Sequence, residues 1–209
     1  MSNHKNPSKL LADRREQSNE MFLNFLAQFG PIPEEVRLFL MPHLRLRFFE
    51  KKTTFWPLGI PSNHIYFIVD GLVRGTYTLA NGEEITNWIV DKGEIASIPA
   101  SLFTGQPSQD ALQALEDTLL IEIPYDLISK QLDIFPYLAK IQLGVMQGYI
   151  LRYDQRCKLL RLAEAKQRLA EFEILYPQLS AKTPLYIVAS YLGVSITTLN
   201  RLRHGMTFC

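Results

Sequence analysis

Cysteine is nearly missing from this chain. Only Cys157 and Cys209 occur in 209 residues. Two thiols so far apart form no disulfide framework and no CxxC motif, and they fall short of the thiolates an iron–sulfur cluster needs. Such usage suits a reducing cytoplasm. Histidine is almost as sparse: His4, His43, His64 and His204 are scattered along the sequence. A cupin-like metal site or a haem needs such ligands to converge, so no metal and no cofactor is expected. Long apolar runs are lacking too. None nears the roughly eighteen residues that span a bilayer, so no membrane partner is expected. The opening MSNHKNPSKLLADRREQSN has no apolar core, so it is not expected to be a secretory signal. Finally, no Lys or Arg occurs from Gly93 to Leu127.

What is present reads as a globular protein, with 47% apolar and 21% charged residues. The formal charge of +1 says little about partners, but its distribution says more. From Ile150 onward nine Lys/Arg stand against four Asp/Glu, whereas the first 149 residues carry thirteen against seventeen. A basic C-terminal part suggests contact with nucleic acid.

The patterning divides the chain into four parts. Residues 1–20 read as a polar N-terminal tail. Residues 21–132 read as a sensor domain, opening with a short amphipathic helix over Met21–Phe29 and a helix start at PIPEEVRLFL. From Leu44 to Pro124, short β-rich runs (RLRFF, TTFW, HIYFIV, LVRGTYTL, EITNWIV, TLLIEI) alternate with turn signals. Asp70-Gly71 and Asn81-Gly82 read as hairpin turns, because glycine accepts positive φ cheaply. Strands so short and so closely spaced predict an antiparallel, jelly-roll-like β-roll. Residues 133–158 read as one long helix with a stripe of Leu138, Ile141, Val145 and Tyr149, expected to pair with a second copy. Leu143, Met146 and Ile150 lie on its other faces. The remaining residues, 159–209, read as a helix bearing Leu162, Ala165, Leu169, Phe172 and Tyr176, a linker PQLSAKTP, and a helix-turn-helix. The fold class is α+β.

VASYLGVSITTLNRLR carries the functional signal. Over Leu185–Leu192, the residues Leu185, Val188, Ala189 and Leu192 share a face. Gly193 stands where a tight turn needs positive φ, and Ser195 can cap the next helix. There Leu199, Leu202 and Met206 point inward. Thr197, Asn200, Arg201 and His204 form the opposite face, with Thr198 and Arg203 at its flanks. An apolar inner face under a polar, cationic outer one suits a helix laid in the major groove of double-stranded DNA. An ordinary αα-hairpin closing a core would share the inner pattern.

Together, HIYFIVDGLVRGTYTLANGEE, ALQALEDTLLIEIP and VASYLGVSITTLNRLR resemble the CRP/FNR superfamily of bacterial transcription regulators. The resemblance implies a homodimer on a two-fold symmetric operator, with RNA polymerase as a further candidate partner. It implies that Arg201 reads a guanine, while Thr198 and Arg203 hold phosphates. Many relatives carry Glu or Gln at the second position of the recognition helix. Here Thr197 follows Ile196, so a different operator is expected.

In the nucleotide-binding members the cyclic phosphate meets an arginine, whose place here falls near Ser108. The ribose-binding glutamate's place falls near Ile98. With no cation nearby, cyclic nucleotide binding is not expected. An unknown, neutral or apolar effector near Trp88, Ile98, Phe103 and Ser108 is one reading of the roll, and a plain scaffold is another. Cys157 is a candidate redox thiol, though an incidental one fits as well. The Pro177–Leu185 linker leaves little room for a full wing before the helix-turn-helix. Two further readings stay open. One is a sensor or interaction protein with a degenerate helix-turn-helix, favoured by the short tail after Arg203. The other is a cupin-like metal enzyme, disfavoured by the scattered histidines. No catalytic residues are assigned, and the chain is not expected to be an enzyme.

Overall fold

The alternating runs pair into two four-stranded antiparallel sheets, in a computed structural model that describes residues 7–206 and side-chain surroundings over 14–204. The first sheet has the order β1-β8-β3-β6, from Arg45–Phe49, Thr118–Pro124, His64–Asp70 and Ile95–Ala96. The second has the order β2-β7-β4-β5, from Thr54–Trp56, Asp110–Ala114, Leu72–Thr78 and Glu84–Asp91. Tyr66, Ile68 and Leu120 point between the sheets and meet Val73, Val90 and Leu112. Their neighbours Phe67, Val69, Leu119, Ile121 and Ile123 point the other way, into a second core. Burial on both faces explains why these strands read as nearly continuous apolar runs rather than alternating ones.

The second core lies under helices. α1 (Pro7–Ala27) lays Phe22 and Leu26 on the first sheet, and α2 (Glu34–Leu40) adds Val36 and Leu40. Residues 7–20 are therefore helical rather than a loose tail. Ser18 is buried and donates to the Arg14 carbonyl, and Arg14 pairs with Asp70 at 3.0 Å. Residues 1–6 lie outside the described residues.

Asn81-Gly82 does turn a hairpin, between β4 and β5, with φ +85° at Gly82. Asp70-Gly71 does not, because β3 and β4 belong to different sheets. Gly71 (φ +116°) instead carries the chain across the fold, and a Cβ there would lie 2.7 Å from Thr118 Cα. Between β6 and β7 sits the short helix α3 (Pro99–Thr104). After β8 come α4 (Tyr125–Ser129) and the long α5 (Pro136–Arg161), which Pro136 opens at a position needing no N–H donor.

Among the described residues, four helices follow: α6 (Ala165–Leu175), α7 (Pro177–Lys182), α8 (Leu185–Leu192) and α9 (Ile196–Met206). PQLSAKTP is thus mostly a helix, not a linker. Leu179 and Ser180 are buried because α7 plugs the space beside α6. No strand follows Pro124 among the described residues, so no wing is present there. A third core joins these helices to the outer face of the second sheet. Leu72, Ile89 and Leu115 meet Phe172, Ile187, Val188, Leu192 and Leu199.

Phe172 is fully buried at the centre of that third core. Phe172→Ala is expected to cost about 3–5 kcal/mol, read as a lower denaturation midpoint in urea. A midpoint unchanged from wild type would contradict this packing.

Candidate nucleic-acid interface

α8 and α9 meet at a tight turn. Gly193 adopts φ 64°, ψ 40°, and the Val194 N–H donates to the Ala189 carbonyl at 3.0 Å. This pairing ends a helix on a left-handed residue and satisfies carbonyls that would otherwise lack donors. Ser195 then caps α9: its Oγ accepts the Thr198 N–H at 3.0 Å. One partner was missed from sequence. Arg168 on α6 donates to the carbonyls of Leu162 (2.8 Å) and Leu192 (3.1 Å), placing a cation at the C-terminus of α8. Only its distance in sequence hid it.

Within α9, Leu199 is fully buried and Leu202 packs against the same core. Ser195, Thr197, Asn200, Arg201 and His204 are exposed together on the outer side. No hydrogen bond or ion pair holds Arg201 to another described residue. Thr198 is half-buried, with its hydroxyl 2.8 Å from Ser195 Oγ. Arg203 departs from the expected set. Its Nη2 donates to Ser180 Oγ at 3.1 Å, and it pairs with Glu173 at 3.7 Å. Arg203 therefore ties α9 to α6 and α7 instead of facing outward. The Met206 side chain lies outside the described residues.

The long helix also differs from expectation. Leu138 and Ile141 are buried against the chain's own roll, and Val145 packs beside them. A second copy cannot reach Leu138 or Ile141. Gly144 lets the helix approach the turn after α1, since a Cβ there would lie 2.3 Å from Phe29. The exposed apolar stripe is instead Leu143, Met146, Ile150 and Tyr153, with Leu151 and Tyr149 beside it. The period was legible, but which face the roll takes depends on where α1 and the sheet lie.

A cavity of about 810 Å³ lies between the roll and α5. Trp88 and Phe103 line it, but Ile98 and Ser108 do not. Ile98 is fully buried in the core between the sheets. Ser108 is buried too, and its hydroxyl bonds both the N–H and the carbonyl of Asp110. The four expected pocket residues thus do not converge. Cations arrive from a distant part of the chain: Arg152 and Arg156 of α5 line the cavity. Arg152 pairs with Glu94. Arg156 donates to the Thr86 carbonyl at 3.2 Å and lies 4.3 Å over the Tyr191 ring. Burial lowers the pKa of its guanidinium from the usual value. Burial pushes the Tyr191 phenol up to about 12, against the opposing effect of Arg156.

Polar contacts also bind the helix-turn-helix to the roll. The Thr86 N–H donates to Ser190 Oγ at 2.8 Å, and Lys182 lies 2.9 Å from the Asp91 carboxylate. Arg74, buried on the outer face of the second sheet, is held by Gln113, Thr86 and Glu84. Among the described residues no cluster of three His, Cys, Asp or Glu could hold a metal ion. His43 is taken up locally, its Nδ1 lying 2.8 Å from the Phe39 carbonyl. Cys157 is half-buried on α5. No described helix is long and apolar enough to cross a membrane.

Residues 46–134 match the cyclic nucleotide-binding domain family. A global nitrogen regulator of Synechococcus elongatus is 30% identical over 135 residues, covering 63% of this chain and 60% of that protein. An anaerobic regulatory protein of Pasteurella multocida is 27% identical over 165 residues, covering 73% of this chain and 59% of that one. The chain thus spans about 60% of the length of the curated relatives it matches. Two examples illustrate the solved structures that share the fold. One, from Eubacterium rectale, is a putative CRP/FNR-family transcriptional regulator with TM-score 0.68 at 15% identity, over 88% of each chain. The other is the Thermus thermophilus catabolite activator protein, with TM-score 0.53 at 23% identity, over 88% of this chain and 86% of that one.

Ser195 caps α9 through its side chain, so Ser195→Ala is expected to cost about 0.5–2 kcal/mol. The loss should appear in hydrogen exchange as earlier opening of α9, with the roll amides unchanged. Equal protection of α9 in both proteins would contradict the cap.

Proposed function

We propose that the chain is a transcription regulator of the CRP/FNR type that reads double-stranded DNA as a homodimer, a reading supported by the match of residues 46–134 to the cyclic nucleotide-binding domain family and by the similarity to curated regulators. One observation carries the reading. Arg201 stands exposed beside Thr197 and Asn200, unpaired among the described residues, over a fully buried Leu199. A guanidinium presented this way can give a bidentate contact to a guanine edge. Thr198 and the capped N-terminus of α9 suit phosphate contacts that fix register. Arg203 is left out of the DNA-contacting set, since its bonds to Ser180 and Glu173 hold the helix in place.

For the dimer, the supporting feature is the stripe of Leu143, Met146, Ile150 and Tyr153. An exposed apolar row at helical spacing on a 26-residue helix matches the seam of a two-helix contact. Pairing there would set two recognition helices on one side of the assembly, each facing one half of a symmetric site. The curated relatives bear the names of regulators rather than enzymes.

Arg201→Ala is expected to weaken binding to a selected operator by about 1–3 kcal/mol and to leave dimerisation intact. Ile150→Asp should instead shift sedimentation toward the monomer and lower operator affinity as a consequence. Gel shift and analytical ultracentrifugation separate the two effects. An Arg201→Ala protein with wild-type operator affinity would overturn the assignment.

A further inference from the structure

We propose that α9 reads A·T pairs beside its guanine, with the Asn200 amide on an adenine edge and the Ile196 side chain on a thymine methyl. The proposal rests on the regulator reading above and names bases which that reading leaves open. Elimination narrows the choice. Leu199 is buried, and Leu202 packs against the third core. Ser180 and Glu173 hold Arg203. Thr198 keeps its hydroxyl 2.8 Å from Ser195 Oγ. Ile196, Thr197, Asn200, Arg201 and His204 remain on the exposed side. A hydroxyl such as that of Thr197 bonds either kind of base edge and selects little. His204 lies in the last turn, whereas base contacts come chiefly from the N-terminal part of such a helix.

Asn200 and Arg201 are neighbours of opposite hydrogen-bonding character. A guanidinium only donates, which fits the two acceptors of guanine, O6 and N7. A carboxamide donates and accepts at once, which fits the N7 acceptor and N6 donor of adenine. Exchanging the bases would set acceptor against acceptor at Asn200 and donor against donor at Arg201. Cytosine shows an N4 donor that a carboxylate would take, and Ile196–Met206 contains no Asp or Glu. Packing gives no reason for asparagine here. It is exposed in mid-helix, where its propensity is poor, and no hydrogen bond holds its amide to another described residue.

Ile196 is the apolar exception on this face. It is 40% exposed and belongs to none of the three cores. Branching at Cβ stiffens its χ1, so its methyl surface is presented with little ordering cost. Thymine's C5-methyl is the apolar feature of the major groove that such a side chain recognises. Ile196 precedes Asn200 by one helical turn, about 6 Å along the axis. Base steps are roughly 3.4 Å apart, so the two side chains reach bases about two steps from each other.

The test uses the full-length protein and duplexes selected from a random pool, then altered one atom group at a time. Adenine→7-deazaadenine removes only the N7 acceptor, and thymine→uracil removes only the methyl. Wild-type protein is expected to lose roughly tenfold in affinity at one adenine next to the guanine, and a few-fold at one nearby thymine. Asn200→Ala should become indifferent to the deaza base, and Ile196→Ala to uracil. Each variant should keep the other sensitivity. Alanine is the better helix former at both positions, and circular dichroism checks that α9 is retained. A selected half-site with no adenine beside the guanine would overturn the proposal. So would deaza sensitivity that survives in Asn200→Ala, or uracil sensitivity that survives in Ile196→Ala. Each of these outcomes leaves the regulator reading standing. A wild-type protein that selects no sequence at all would sink that reading, and this one with it.

Discussion

The third hydrophobic core joins the roll to the helix-turn-helix. Leu72, Ile89 and Leu115 come from the outer face of a β-sheet, while Ile187, Val188, Leu192 and Leu199 come from the helix-turn-helix. Because Leu199 is buried in this cluster, the opposite side of α9 must face solvent. The direction of Arg201 therefore follows from packing beneath it, not from any contact of its own. Ser190–Thr86 and Lys182–Asp91 add polar fasteners at the same junction. Exposed ion pairs contribute little, so orientation rests chiefly on the apolar surface.

Local features were the ones the sequence made readable. The turn at Gly193, the cap at Ser195 and the buried Leu199 are set within a few residues, and each lies where the pattern placed it. The same holds for the hairpin at Asn81-Gly82. Features that depend on distant partners were harder. Arg203 sits at the right offset for a phosphate contact, yet Ser180 and Glu173 claim it. Leu138 and Ile141 have the period of a dimer seam, yet α1 and the first sheet cover them. Periodicity identifies an apolar face but cannot say whether the same chain or another one buries it. Likewise PQLSAKTP looks like a linker by composition, but Leu179 finds a place in the core and the segment coils.

The roll shows the same limit in another form. Scanning the loop between β6 and β7 finds no cation. Folding brings Arg152 and Arg156 to the cavity from α5, far along the chain. Two of the four expected pocket residues, Ile98 and Ser108, are committed instead to the core and to a turn. A site's charge is thus not legible from the loop alone, because a long helix lying across the roll supplies it.

Selection from a random duplex pool tests the central claim most directly. A homodimer presenting two copies of α9 enriches a two-fold symmetric sequence whose halves lie roughly 10 bp apart, centre to centre. Recovery of a single asymmetric site, or of no preferred sequence at all, would contradict it.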